Sequence, residues 1–394
     1  MAACLRICLA TVLFIGSLGF SVGVNRLFRE AAAIAGQVVG PEGQMGIYLV
    51  LLTGFVCLSV LSFAPGDWFL AGLVAIASMH YLLRYESSVS PPNALTFLSA
   101  VVIGKAVALL SRGQRSTVVM ILCLLLAACV FWQLDKSRFF YHGPRWTGIW
   151  NDPNRFGLLM GAGCVLAAGV SGELQPRCRG PWILVRVCLL IGLLCSFSRG
   201  AWVATAVGWM FAGPRGQFRM PGRAVVISCV VGASILLALC WRADSDRWYF
   251  ARLDLSRGSV QHRLHAWKCA ADLAFRNPLG LGWNRGEDAY TSDYLAPAGQ
   301  ASDSAAFSTN DYAVLAVEAG LPALLCFLCF AGAAAVRHRG SVDAGIRGGA
   351  ILFLCGMMFD SVLFDVATAT LFWFLVASCL DDNHEALKTK TGLA

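Results

Sequence analysis

Two kinds of residue in this chain could carry chemistry, and both collect beside apolar runs. Ser308, Thr309, Asn310 and Asp311 stand together in "AFSTNDYAVLAVEAGLPALL" (305–324), where a polar doorway opens into a helix-length apolar stretch. Such residues cap a helix N-terminus by accepting its unpaired amide hydrogens. Asp311 also brings a carboxylate able to take a proton. Arginines form the second group: Arg138, Arg145, Arg155 and Arg199 lie in or beside short connections, and Arg242, Arg247, Arg252, Arg257, Arg263, Arg276 and Arg285 follow in one long polar stretch. Guanidinium forks grip phosphate or carboxylate bidentately and neutralise charge without a metal. Plainer readings stand beside this one. An arginine at the end of a span reaches out to lipid headgroups, which suits Arg138 and Arg242. Arg263 opens a helix and could belong to a solvated face. Arg145 and Arg155 flank "NDPN", which also reads as a turn launching a helix. Arg199 is harder to dismiss, because "SFSRGAW" is a very short turn between two apolar runs. Asp360 and Asp365 bracket "FDSVLFDV"; capping accounts for Asp365, whereas Asp360 is a candidate catalytic or arginine-pairing carboxylate.

The elements that must hold these residues are membrane helices. Of 394 residues, 57% are hydrophobic and only 14% charged, far from the balance of a soluble chain. Apolar runs recur near 7–24, 45–63, 68–83, 94–110, 117–133, 156–170, 183–197, 200–212, 224–241, 309–335, 348–360 and 363–380. The sequence therefore predicts an all-α polytopic membrane protein of about twelve transmembrane helices. With the N-terminus inside, Arg6, Arg112, Arg115, Arg177, Arg179, Arg215, Arg219, Arg223, Arg337, Arg339, Arg347, Lys388 and Lys390 share the cytoplasmic side, so both termini are expected there. The first run could alternatively be a signal sequence. One integral membrane domain, 1–394, is expected, with the 242–308 connection inserted on the outer side. Apolar residues at helical spacing from Leu264 to Phe275 predict an amphipathic helix in that connection, folded back on the membrane surface or over a cavity. Asn277-Pro278 stops it, and Gly280, Gly282 and Gly286 suit tight turns. Of the sixteen cysteines, all but Cys178 and Cys269 lie in or beside apolar runs, where they read as small packing residues, and none has zinc spacing. Lys105 and Arg186 lie near cytoplasmic span ends, from which both could reach water. A transporter or flippase is a rival class; it predicts internal repeats and midplane charges, which this sequence does not display.

Taken in order, "RWTGIWNDPNRFG" (145–157), "SFSRGAW" (196–202), "RLHAWKCAADLAFRNPLGLGW" (263–283) and "TNDYAVLAVEAGLP" (309–322), with the long outer connection, resemble the O-antigen ligase and O-antigen polymerase superfamily. The resemblance implies transfer of a glycan from undecaprenyl diphosphate to an acceptor hydroxyl, on a lipid A core or a growing glycan, at the outer face of the bacterial inner membrane. It implies no metal or other cofactor and no nucleic-acid partner. Carried over, Arg199 and Arg263 would bind the diphosphate, with Arg145, Arg155 and Asn310 contributing. Members usually have His, then Asn or Ser, nine residues and Gly, with the His proposed as base. Here Asn310, the nine residues 311–319 and Gly320 are in register, but Thr309 occupies the His position, and a threonine hydroxyl is no base near neutral pH. Asp311, His262 or His265 could supply the base, with Asp360 a further carboxylate. Alternatively the arginines suffice without a strong base, or activity has been lost.

Overall fold

The computed structural model describes residues 40–61, 66–83, 92–108, 110–134, 145–150, 152–171, 174–212, 259–297, 307–336 and 341–391. The expected spans 7–24 and 224–241, Asn151, Arg138 and the arginines from Arg242 to Arg257 lie outside these residues. Thirteen α-helices and no strand occur among the described residues: α1 (Gly40–Leu61), α2 (Asp67–Leu83), α3 (Pro92–Ala108), α4 (Arg112–Leu134), α5 (Pro153–Val170), α6 (Arg179–Cys195), α7 (Arg199–Phe211), α8 (Ser259–Arg276), α9 (Gly286–Tyr290), α10 (Asp311–Glu318), α11 (Leu321–Val336), α12 (Ser341–Gly356) and α13 (Val366–Thr391). The all-α reading holds. Among the described residues, the stretch Gly113–Phe131 of α4 is long and apolar enough to cross a bilayer, and six other helices are apolar over shorter lengths.

One expected span is split. The sequence reads 309–335 as a single run, yet α10 ends at Glu318 and α11 begins at Leu321. Gly320 causes the break: it takes φ +93°, a left-handed backbone that side chains disfavour. The freed Leu321 amide donates to the Pro278 carbonyl at 2.9 Å instead of continuing the helical ladder.

The chain divides into two compact units. The first comprises residues 1–115, 265–337 and 360–394. Within it α3 packs on α13 and α1, and α2 on α11. Trp373 is its centre, with Phe97 edge-on at 5.5 Å and Phe330 at 5.7 Å. Gly104 admits this packing, since a Cβ there would stand 2.6 Å from the Trp373 Cβ. Lys105, expected to reach water, is buried and donates to Asp67 Oδ2 at 2.6 Å. Pairing inside the protein removes the need to reach out, because a lone buried ammonium is costly.

The second unit comprises residues 116–264 and 338–359. Its middle is α5, packed on α6, α7 and α12, and α7 also packs on α12. Glycines line these crossings. A Cβ on Gly157 would meet the Ser196 hydroxyl at 2.6 Å, and one on Gly208 would meet the Gly348 carbonyl at 2.7 Å. Where lipid removes the hydrophobic drive between helices, close backbone approach through small residues supplies the packing energy.

Candidate anion site and its supporting clasps

In the second unit, the "SFSRGAW" turn is built to present Arg199. Helix α6 ends at Cys195, Phe197 takes φ +48°, and Ser198 caps α7 by accepting from the Ala201 amide at 3.3 Å. Arg199 is thereby the first residue of α7, where unpaired amides and the helix dipole favour an anion. Its Nη1 is buried and makes no hydrogen bond. Gly200 lies against Phe359, since a Cβ there would stand 2.6 Å from the Phe359 Cβ. From α8, Arg263 Nη1 donates to the carbonyl of that same Phe359 at 3.0 Å. Arg263 and the residue that follows Arg199, far apart in sequence, thus both lie against Phe359.

Arg145 and Arg155 sit one element away. Buried Arg145 donates from Nε to the Ser196 carbonyl at 3.0 Å and from Nη2 to Asn154 Oδ1 at 2.8 Å. It bridges the end of α6 to the start of α5, while the Trp146 amide donates to the Cys195 carbonyl at 2.9 Å. Asp152 caps α5, accepting from the amides of Asn154 at 2.7 Å and Arg155 at 3.2 Å. The "NDPN" stretch is therefore a helix start, and Arg155, half-buried, lies in the first turn of α5.

In the first unit, the doorway residues divide their labour. Asn310 caps α10, its side-chain oxygen accepting from the amides of Tyr312 at 3.1 Å and Ala313 at 3.2 Å. Asp311 is fully buried, and its Oδ2 accepts from the amides of Val362 at 2.6 Å and Leu363 at 2.7 Å. It clasps the turn between α12 and α13. Thr309 is half-buried and Ser308 exposed, in the short turn that precedes α10. Asp365 caps α13 as expected, accepting from the Thr368 amide at 3.2 Å. Asp360 is half-buried at the head of that turn.

A second clasp was not foreseen. Glu318, the last residue of α10, is buried and accepts from Asn93 Nδ2 at 3.4 Å, with the amides of Asn284 and Gly286 also directed at its carboxyl group. The loop after α8 lies along the end of α10: the Leu281 amide donates to the Val317 carbonyl at 2.8 Å and the Gly282 amide to the Glu318 carbonyl at 2.9 Å. Gly280 and Gly282, at φ +85° and +103°, make this approach possible; Gly286 instead begins α9. Trp283 packs, donating from Nε1 to the Ala77 carbonyl at 3.0 Å. The available signal was Glu318 itself, an acidic residue inside "AVLAVEAGLP", which in an apolar helix requires partners.

Along α8, Asp272 accepts from the Tyr294 hydroxyl and from Arg276 Nη2 at 2.7 Å. The phenol hydrogen bond, and secondarily Arg276, hold the Asp272 carboxyl below its usual range, whereas burial pushes the Tyr294 phenol up to about 12. His265 is exposed, with Nε2 3.5 Å from Cys269 Sγ on the next turn of its own helix. No group of three or more His, Cys, Asp or Glu with metal-binding proximity occurs among the described residues.

Residues 184–328 match the family model described as O-antigen ligase. That segment takes in Arg199, Arg263 and the whole of α10, while Arg145, Arg155 and Asp360 fall outside it. The chain matches none of the curated proteins. The matched segment, 145 of the 394 residues, carries both Arg199 and Arg263, and over it the chain is similar to the O-antigen ligase family.

Proposed function

We propose that the protein transfers a glycan from undecaprenyl diphosphate to an acceptor hydroxyl at the outer face of the bacterial inner membrane. The chain is multi-pass with about twelve spans and cytoplasmic termini, and the 242–308 connection lies outside. The observation that carries this reading is that Phe359 takes a hydrogen bond from Arg263 and lies against Gly200, the residue after Arg199, with Arg199 Nη1 buried and unsatisfied. A buried guanidinium nitrogen without an acceptor is costly, and phosphate oxygens would satisfy it.

In the reaction the acceptor oxygen attacks the anomeric carbon, the bond from that carbon to the diphosphate oxygen breaks, and the diphosphate leaves with the electron pair. Arg199 and Arg263 stabilise the charge developing there. Arg145 holds the Arg199 turn in place through Ser196, Arg155 lies in the first turn of the neighbouring α5, and Asn310 caps α10. The acceptor proton must go to a base. Thr309 cannot serve, and Asp311 is fully buried with its Oδ2 committed to two amides. Asp360, the residue after Phe359, is the proposed acceptor of that proton. Substitution of the family's usual His by Thr309 favours a polymerase-like or divergent member over a lipid A core ligase.

Metal-free transfer from a purified undecaprenyl diphosphate oligosaccharide tests this. Arg199→Ala and Arg263→Ala should each reduce the rate by about 10²–10³, and Asp360→Asn by about 10²–10⁴. Full activity in Asp360→Asn, together with a gain in Thr309→His, would remove Asp360 from the role of base.

A further inference from the structure

Helix α8 has three faces rather than two. At about 100° per residue, Ala266, Ala270, Leu273 and Ala274 form the buried arc. Arg263 falls on the same arc, consistent with its bond to Phe359. On the far side lie His265, Lys268, Asp272 and Arg276, which are exposed or half-exposed. Between them runs a strip with neither burial nor polarity: Leu264 and Phe275 are 55% and 76% exposed, Ala271 is exposed, and Leu279, just past the helix end, is 68% exposed. Trp267, half-buried, borders the strip on the protein side.

We propose that this strip lies in the boundary between headgroups and acyl chains of the outer leaflet, so that α8 runs along the membrane surface. Three properties select lipid over other occupants. The strip is one residue wide, too narrow for the roughly 800 Å² per partner of a stable protein interface. Its solvent-side edge carries Lys268 and Arg276 against one carboxylate, Asp272, which is engaged by Arg276 and Tyr294; the net positive charge left on that edge complements anionic phospholipid headgroups. Trp267 on the other edge is half-buried with its indole nitrogen inside the protein, so the strip is bordered there by an aromatic ring and not by a polar group. The consequence is positional: the helix carrying Arg263 is held at headgroup depth, where the diphosphate of any lipid-linked substrate resides. The placement itself does not rest on the transfer reaction.

The test is photocrosslinking of the full chain in vesicles of phosphatidylethanolamine and phosphatidylglycerol. Benzoylphenylalanine is introduced as Phe275→benzoylphenylalanine, as Leu264→benzoylphenylalanine, and, as the solvent-side control, as His265→benzoylphenylalanine. Phospholipid-mass adducts on the peptides bearing positions 264 and 275, and none at 265, are expected. Crosslinks from 275 to another peptide of this chain or to a second copy would overturn the proposal, as would equal lipid labelling at 275 and 265, or no labelling at 275. Folding is checked independently by the elution profile of each variant. Lipid labelling at 275 with no glycan transfer would contradict the proposed activity while leaving this placement standing.

Discussion

Ser198 caps α7, Phe197 before it takes a left-handed backbone, and Arg199 is delivered as the first helical residue with one buried, unsatisfied nitrogen. The short "SFSRGAW" turn and its cation were legible in the sequence because a long charged side chain there has little room to reach solvent. The partner residue Phe359 was not legible, since nothing in "MMFDSV" marks a carbonyl that will face an arginine from α8. The doorway cluster illustrates the same boundary. Capping by Asn310 follows from residue type alone, whereas the grip of Asp311 on Val362 and Leu363 is a long-range contact that no local pattern encodes. That grip makes a prediction. Asp311→Ala removes the acceptor for two buried amides and should cost about 1–3 kcal/mol of stability, seen as a lower midpoint in thermal unfolding of the detergent-solubilised protein. Asp311→Asn keeps an acceptor oxygen and should retain most stability and most transfer activity. Loss of transfer in a stably folded Asp311→Asn protein would make Asp311 the base instead.

At the scale of elements, glycine decides where helices meet and where they stop. Gly280 and Gly320 face each other's backbones: a Cβ on Gly280 would stand 2.5 Å from the Glu318 carbonyl oxygen, and one on Gly320 2.6 Å from the Leu279 carbonyl carbon. Both also have positive φ. Gly280→Ala and Gly320→Ala should therefore each destabilise by about 1–3 kcal/mol from backbone strain, with further loss from the clash. Hydrogen exchange in residues 277–290 should accelerate in both variants; unchanged exchange would mean that the loop does not depend on this approach. Hydropathy placed most of the described helices within about five residues but began α12 seven residues late, ended α13 eleven residues early, and ran α10 and α11 together, because Gly320 is a single residue in an apolar run. It also located α8 and its stop at Asn277-Pro278. The face that α8 buries was only partly legible: Leu264 and Phe275, which extend its apolar spacing, are exposed, while Leu273 and the smaller Ala266, Ala270 and Ala274 are packed.

For the whole molecule, composition sufficed to read an all-helical architecture over the described residues, and the ordered motifs pointed to the family whose model matches residues 184–328. The division into units was not readable along the chain, because one unit gathers three separate stretches and the other two. The number of spans is likewise blurred by helices such as α7, whose 13 residues reach only about 20 Å at 1.5 Å per residue. The proposed function rests at this scale on one anionic lipid-linked ligand held by cations from two distant segments. The most direct measurement is equilibrium binding of radiolabelled undecaprenyl diphosphate to the purified protein without added metal, comparing the wild type with Arg199→Ala and Arg263→Ala. A loss of about tenfold or more in affinity for each variant, or about 1.4 kcal/mol, is predicted; wild-type affinity in either one would contradict a diphosphate shared by the two arginines.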